Sequence, residues 1–529
     1  MTARQWNRGS FGSAITIRIR MGLCLTLSAL SGCGHSDAIA PAAVEATVPV
    51  NLDRHCDLAP YPSEPWTRCE LDNFARTKEA IPEQATPAFV TALAQRSADS
   101  LRSWTARAAA DPSWLSPLSG NTVALPVCAA GPPFCVGDPF RHPQAQGVDG
   151  AAFYSSGVEV EPVVFYDREC ARLSGHLWVP RASTGPLPGI VITNGSFQAP
   201  EAAYWWAAQA LVRGGYAVLT YDPRGQGRSD QQTPDAQQGS NLNAKVFWEG
   251  QVDAIDFFDS RPLQPYPHEA RCRGAYPTQT DAYNPLWPRI DRDRLGIAGH
   301  SLGAIGVSVV QGYGANDQVE PWPGKFASEN PVKAAVAWDS LVTPDLDGFA
   351  PFTNYPLPDW LIQVLGQIGT QGNLPRFAPR APALSFNADY ALAPVLYVEP
   401  PDAERHKRAY SAWQASGVPV MTLTFQGTTH LDYSLLPGFP ATSWCPDPGT
   451  GTCAGGWGLP AITYYTMAWF DRWLKRAGEP GYSDADARLL DDAGPQGAAK
   501  MSFRYRSARD FPDRRGHRQL CQDIRSGCR

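Results

Sequence analysis

The chain has 529 residues, with 45 Lys and Arg against 51 Asp and Glu, a formal net charge of −6, and 17 Trp, 47 Gly and 49 Pro. The acidic balance leaves no basic face to neutralise phosphates, which sets nucleic acid aside as a partner. The length allows one large α/β core with extensions, or two or three smaller domains.

Arg18 and Arg20 precede the apolar run MGLCLTLSAL. At about ten residues it is too short to span a bilayer and suits the core of a secretory signal. LSGC follows, Leu30 to Cys33. It resembles the lipobox of bacterial lipoproteins, whose cysteine is lipidated and becomes the first mature residue. The expectation is an exported protein: residues 1–32 are a signal peptide and Cys33 is the attachment point to a membrane, an ordinary secreted form being the alternative. Cleavage removes four arginines and no acid, taking the net charge from −6 to −10.

Setting aside Cys24 and Cys33 leaves ten cysteines, an even number that suits an oxidising compartment. Four close pairs stand out: Cys56 with Cys69, Cys128 with Cys135, Cys445 with Cys453, and Cys521 with Cys528. Cys170 and Cys272 are left for each other. No C-x-x-C and no neighbouring histidine cluster points to zinc, so no metal is expected.

Residues 33–150 read as a tether and a disulfide-stapled helical extension. The stretch 34–60, rich in Ala, Pro and Val, would lift the rest from a membrane. PAFVTALAQRSADSLRSWTARAA (87–109) has helical spacing. From 151 to 480 strands and helices alternate. GVEVEPVVFY and ARLSGHLWVP (157–180) predict a hairpin. LPGIVITNG (187–195) and YAVLTYDPRG (216–225) predict buried strands joined by the amphipathic helix in APEAAYWWAAQALVRGG. VFWEGQVDAIDFFDS (246–260) is a further helix. DRLGIAGHS, VKAAVAWDS, APALSFNAD and VPVMTLTFQG are four more strands, with a helix in AERHKRAYSAWQASG between the last two. This pattern predicts an α/β fold, a mostly parallel sheet flanked by helices. Residues 481–529 read as a stapled basic C-terminal tail, and its RYRSARDFPDRRGHR as a solvated segment.

LGIAGHSLGA (295–304) carries the G-x-S-x-G pattern. With glycine at roughly 7% of residues, chance supplies it about once in several chains of this length, so context decides. Here a buried strand enters and AIGVSVVQ starts a helix at once, as a nucleophile elbow requires; Ser301 would sit at the tip, above a helix N-terminus that favours negative charge. The base must come from elsewhere. His406 lies in a helical pattern and His517 in the tail, whereas His430 follows a strand on the loop of TFQGTTHLD. For the acid two candidates remain, Asp339 and Asp389, each at the C-terminal end of a strand. Of the two backbone donors that an oxyanion hole needs, Leu302 follows the nucleophile, and Ser196, with Phe197 the alternative, follows GIVITNG.

Through GHSLG, DPRGQGRSD (222–230) and GTTH, residues 151–480 resemble an α/β-hydrolase. AVAWDS, PALSFNADY and MTLTFQGTTH look most like secreted platelet-activating-factor acetylhydrolases and dienelactone-hydrolase-like esterases. In the acetylhydrolases the acid ends the strand directly after the elbow, so the resemblance implies Asp339, with Asp389 the alternative. It also implies a serine esterase or lipase with no cofactor, acting on a small-molecule or lipid ester. Related enzymes often place His-Gly in the oxyanion loop, where this chain has Asn194-Gly195-Ser196.

About forty residues, 341–381, separate Asp339 from the next strand, long for a connection, with the short apolar helix DWLIQVLGQI and Phe349, Phe352, Tyr355 and Trp360. A lid over the serine and a buried structural insertion are equal readings. The same triad cleaves amides, so a peptidase or amidase is the alternative activity, and a non-catalytic binding protein that keeps the fold is a third reading.

Overall fold

The computed structural model describes residues 60–78, 152–183, 185–196, 200–237, 243–275, 280–344, 374–390, 401–434, 458–491 and 500–528, with isolated positions besides. Outside these lie the signal peptide, Cys33, most of the tether, most of the expected helix 87–109, Cys128, Cys135, Cys445, Cys453, and the insertion from 345 to 373 with its four aromatic residues.

Among the described residues ten strands form one mixed sheet: β1 (Val158–Tyr166), β2 (Arg172–Pro180), β3 (Leu187–Thr193), β4 (Ala217–Tyr221), β5 (Ile290–His300), β6 (Val332–Trp338), β7 (Ala383–Asn387), β8 (Val420–Thr424), β9 (Ala508–Pro512) and β10 (Arg518–Cys521), in the order β1-β2-β4-β3-β5-β6-β7-β8-β9-β10. From β4 to β8 every neighbouring pair is parallel, while β1 and β2 at one edge and β9 and β10 at the other run antiparallel. The expected hairpin is β1–β2, with Tyr166 opposite Arg172.

The central strands are continuous apolar runs because helices cover both faces. The helices are α1 (Glu64–Lys78), α2 (Trp205–Arg213), α3 (Lys245–Asp259), α4 (Pro267–Cys272), α5 (Leu302–Gly312), α6 (Arg408–Ala415), α7 (Gly458–Leu474) and α8 (Ala485–Leu489). On one face Ile190 and Ile192 of β3 and Val336 of β6 pack with Trp206 of α2 and Trp469 of α7. On the other, Val191 of β3 and Ala335 of β6 pack with Phe247 of α3, Val309 of α5 and Trp413 of α6. The period-2 alternation thus sends neighbouring residues of each strand into two separate cores.

The C-terminal segment departs from the sequence expectation of a solvated tail. β9 pairs with β8 and β10 with β9, so residues 508–521 continue the sheet. The arginines that make the segment look solvated are answered by carboxylates: Arg518 Nε donates to Asp510 Oδ1 across the hairpin at 2.7 Å, Arg506 pairs with Glu404 and Asp523, and Arg514 NH1 lies 4.0 Å from Asp486. Charge that reads as a basic run in sequence is paired with carboxylates in the fold, with Arg506 and Arg518 keeping half or more of their side chains exposed.

Disulfides join Cys56 to Cys69, Cys170 to Cys272, and Cys521 to Cys528. Cys170 to Cys272 spans 102 residues, taking in β2 to β4 and α2 to α4. Closing a loop of that size restricts the unfolded chain strongly. The Cys170→Ser/Cys272→Ser protein is expected to lose about 2–4 kcal/mol of stability. Urea unfolding checks this, and an unchanged midpoint would refute it.

Candidate active site

The parallel strands end in register: Thr193 lies opposite Gly299, His300 opposite Trp338, Trp338 opposite Phe386, and Asn387 opposite Thr424. The loops after β3, β5, β6, β7 and β8 therefore gather along one edge. β3 also has β4 on one side and β5 on the other, so the connections leave in opposite directions there. Such a switch point opens a crevice at the carboxyl ends of the strands. Asn194 to Ser196 and Ser301 flank it.

Ser301 joins β5 to α5 with φ 56° and ψ −119°. A non-glycine residue rarely adopts such a backbone, at a cost of about 1–3 kcal/mol. Surroundings hold it there: its N–H donates to Trp338 O at 3.1 Å, and its own carbonyl accepts from Ala304 and Ile305. The flanking glycines are a steric requirement. A Cβ on Gly299 would sit 2.3 Å from Gly303 O, and one on Gly303 would sit 2.3 Å from Thr193 O. Leu302 begins α5, where the first N–H groups have no partner within the helix.

Asp339 follows β6 and also has a positive φ, 52°. Its Oδ1 accepts from Ala388 N at 3.0 Å, and its Oδ2 lies 2.6 Å from His430 Nδ1. Both groups are nearly buried, with side-chain exposures of 4% for Asp339 and 12% for His430. A carboxylate at that distance fixes the proton on Nδ1 and leaves Nε2 as the basic nitrogen. The turn carrying His430 is closed by a capping box in which the Asp432 carboxylate accepts from Thr429 N and Oγ1. Burial pushes Asp432 up to about 7, against the lowering effect of those hydrogen bonds.

Asp389 sits elsewhere. Its oxygens accept from Arg504, Ser502, Asn73 and the Gly427 N–H, and the Arg504 guanidinium lies 2.9 Å away. It braces the loop leading to His430 through Gly427, and its own N–H donates to Thr428 Oγ1 at 3.2 Å. The structure brings Asp339 to the imidazole and places Asp389 in an ion-pair cluster.

Ser196 is buried and closes the described part of the loop after β3; Phe197 lies outside the described residues. Gly195 packs directly on Ser301, since a Cβ there would fall 3.1 Å from Ser301 Cβ. Its N–H donates to Tyr204 Oη at 3.0 Å. Asp222, at the end of β4 in the DPRGQGRSD motif, supports the same loop: Oδ1 accepts from Asn194 Nδ2 at 3.0 Å and Glu201 N at 2.7 Å, and Oδ2 from Arg228 N at 2.8 Å. Burial, then the adjacent Glu201 carboxylate, pushes Asp222 up to about 7.

Three residues that the sequence reading passed over thus hold the site: Tyr204, Asp222 and Asp432. Two had a visible signal, Asp222 as a carboxylate ending a strand and Asp432 through the T-x-x-D spacing of a capping box. Among the described residues no cluster of His, Cys, Asp or Glu is placed to hold a metal ion. No protein-family model matches the chain, and no curated protein matches it.

Proposed function

We propose that this protein is a serine hydrolase of the α/β-hydrolase fold that cleaves carboxylic esters. The observation that carries the reading is a strained serine between strand and helix on the same sheet edge as a histidine whose Nδ1 meets a buried carboxylate at 2.6 Å. In this mechanism His430 Nε2 takes the Ser301 proton as Oγ attacks the acyl carbonyl. Asp339 holds the imidazole in its tautomer and stabilises the imidazolium. The N–H groups of Leu302 and Ser196 receive the developing oxyanion; Gly195 N–H is already engaged by Tyr204. The tetrahedral intermediate collapses, His430 returns the proton to the departing alcohol, and a water activated by His430 then releases the acid from the acyl-enzyme.

We further propose export, with attachment through a lipidated Cys33 after removal of residues 1–32. The three disulfides among the described residues support an oxidising compartment.

Purified protein is expected to release p-nitrophenol from acyl esters of rising chain length and to be labelled by a fluorophosphonate. Ser301→Ala is expected to lose both, with turnover down at least about 10⁴-fold. Folded wild type that neither turns over an ester nor takes the label would overturn the nucleophile assignment. Labelling without ester turnover would move the reading to amide substrates.

A further inference from the structure

His300, the residue between Gly299 and Ser301, is fully enclosed, and both its ring nitrogens are engaged. Nε2 lies 2.9 Å from the backbone oxygen of His430, and Nδ1 lies 2.7 Å from Tyr204 Oη. Tyr204 Oη in turn receives the Gly195 N–H at 3.0 Å. The donor and acceptor roles follow from chemistry alone. A carbonyl oxygen only accepts, so Nε2 must carry a proton. In a neutral ring Nδ1 is then a lone pair and accepts from the Tyr204 hydroxyl, whose oxygen accepts from Gly195. Each position is used once and none conflicts.

We infer that His300 and Tyr204 are positioning residues, forming a directed hydrogen-bond chain from Gly195 N–H through Tyr204 and neutral His300 to His430 C=O that fixes the oxyanion loop and the base relative to Ser301. The chain joins three separate segments of sequence at the nucleophile. It anchors Gly195, directly before Ser196, whose N–H is the second donor of the proposed oxyanion hole, and the backbone of the residue that carries the base. The His300 and His430 rings lie 4.5 Å apart, tilted by 37°. When His430 becomes an imidazolium, a neutral His300 beside it adds no charge repulsion. Burial first, and the neighbouring His430 next, hold His300 well below the ordinary histidine range. Burial likewise pushes the Tyr204 phenol up, so it keeps the proton it donates.

The role assigned to these residues in turnover rests on the hydrolase reading, whereas the hydrogen-bond chain itself does not, and two measurements separate the two. The first is nitrogen NMR of protein labelled with ¹⁵N-histidine at pH 7, His300 being assigned by loss of its signals in His300→Gln. The expected result is a protonated Nε2 and an unprotonated Nδ1; the opposite tautomer, or a charged ring, would overturn the chain whether or not the protein hydrolyses esters. The second is steady-state kinetics. Tyr204→Phe keeps the ring and removes only the hydroxyl, and His300→Leu removes both ends. Each is expected to lower kcat about 10–100-fold with KM within about twofold, the loss of one or two buried hydrogen bonds. His300→Gln, whose amide N–H reaches toward His430 O, is expected to recover most of the loss. Folded Tyr204→Phe and His300→Leu proteins with wild-type kcat would overturn the positioning role. Equal losses in His300→Leu and His300→Gln, with Tyr204→Phe unaffected, would overturn it too, by showing that ring packing alone matters.

Discussion

Asp339→Asn is expected to lower kcat for ester hydrolysis by about 10⁴-fold with little change in KM or in thermal midpoint. An amide keeps the size of the carboxylate but can turn its NH2 toward Nδ1. The imidazole then meets a donor where it had an acceptor, favours the wrong tautomer, and presents Nε2–H to the serine. The charge that stabilises the imidazolium is lost as well. Asp389→Asn separates the two acids: its carboxylate is the acceptor for Arg504, Ser502, Asn73 and Gly427, so the substitution acts mainly on stability. Steady-state kinetics and melting curves on both variants check the assignment. A 10⁴-fold loss of kcat in folded Asp389→Asn, with Asp339→Asn near wild type, would reverse it.

The choice between these two acids shows what a sequence can carry. Both aspartates follow strands of similar composition, VKAAVAW and ALSFN, and those strands are neighbours in the sheet. Local pattern places both at the same edge and stops there. What differs is the company each keeps. Asp389 is met by groups from positions 73, 427, 502 and 504, and Asp339 by His430, contacts that no window of sequence contains. The central strands were legible because burial on both faces demands unbroken apolar runs, and the elbow because small residues must surround a strained serine. β9 and β10 were not, since ARDFP and RQLC owe their place to pairing and to ion pairs across the hairpin rather than to hydrophobicity. α7 was missed for another reason: buried residues such as Leu459, Ile462, Trp469 and Phe470, with no broad polar face, blur the helical period. His300 was hidden inside the motif that made Ser301 visible, where it reads as a spacer between Gly299 and the serine.

Arg504→Met is expected to destabilise the protein by about 3–5 kcal/mol at neutral pH, because it leaves buried carboxylates without their cation. The Arg504 side chain has no exposure; NH2 lies 2.9 Å from Asp389 Oδ2, NH1 lies 3.5 Å from Glu70 of α1, and the guanidinium stacks 4.0 Å from the Tyr390 ring. The site therefore joins the N-terminal helix, the loop after β7 and the C-terminal segment. Burial alone would raise Asp389, but the charge of Arg504 and hydrogen bonds from Arg504, Ser502 and Asn73 outweigh it and hold the carboxyl below its ordinary range. A depressed folded-state value makes this contribution complete above the unfolded value near 4 and lost as pH falls through the folded one. Without Arg504 the balance inverts: burial dominates, Asp389 takes up a proton at higher pH than in the unfolded chain, and protonation relieves the unpaired charge. The stability gap between wild type and Arg504→Met is thus expected to be widest near pH 7 and to narrow as pH is lowered toward 4. Adding Asp389→Leu is not expected to restore the loss, because Gly427 N–H and Ser502 Oγ–H would then be buried donors without an acceptor. Urea unfolding of the three proteins between pH 4 and 8 tests both statements. A gap that stays constant across that range would show that Arg504 acts through packing on Tyr390 rather than through charge.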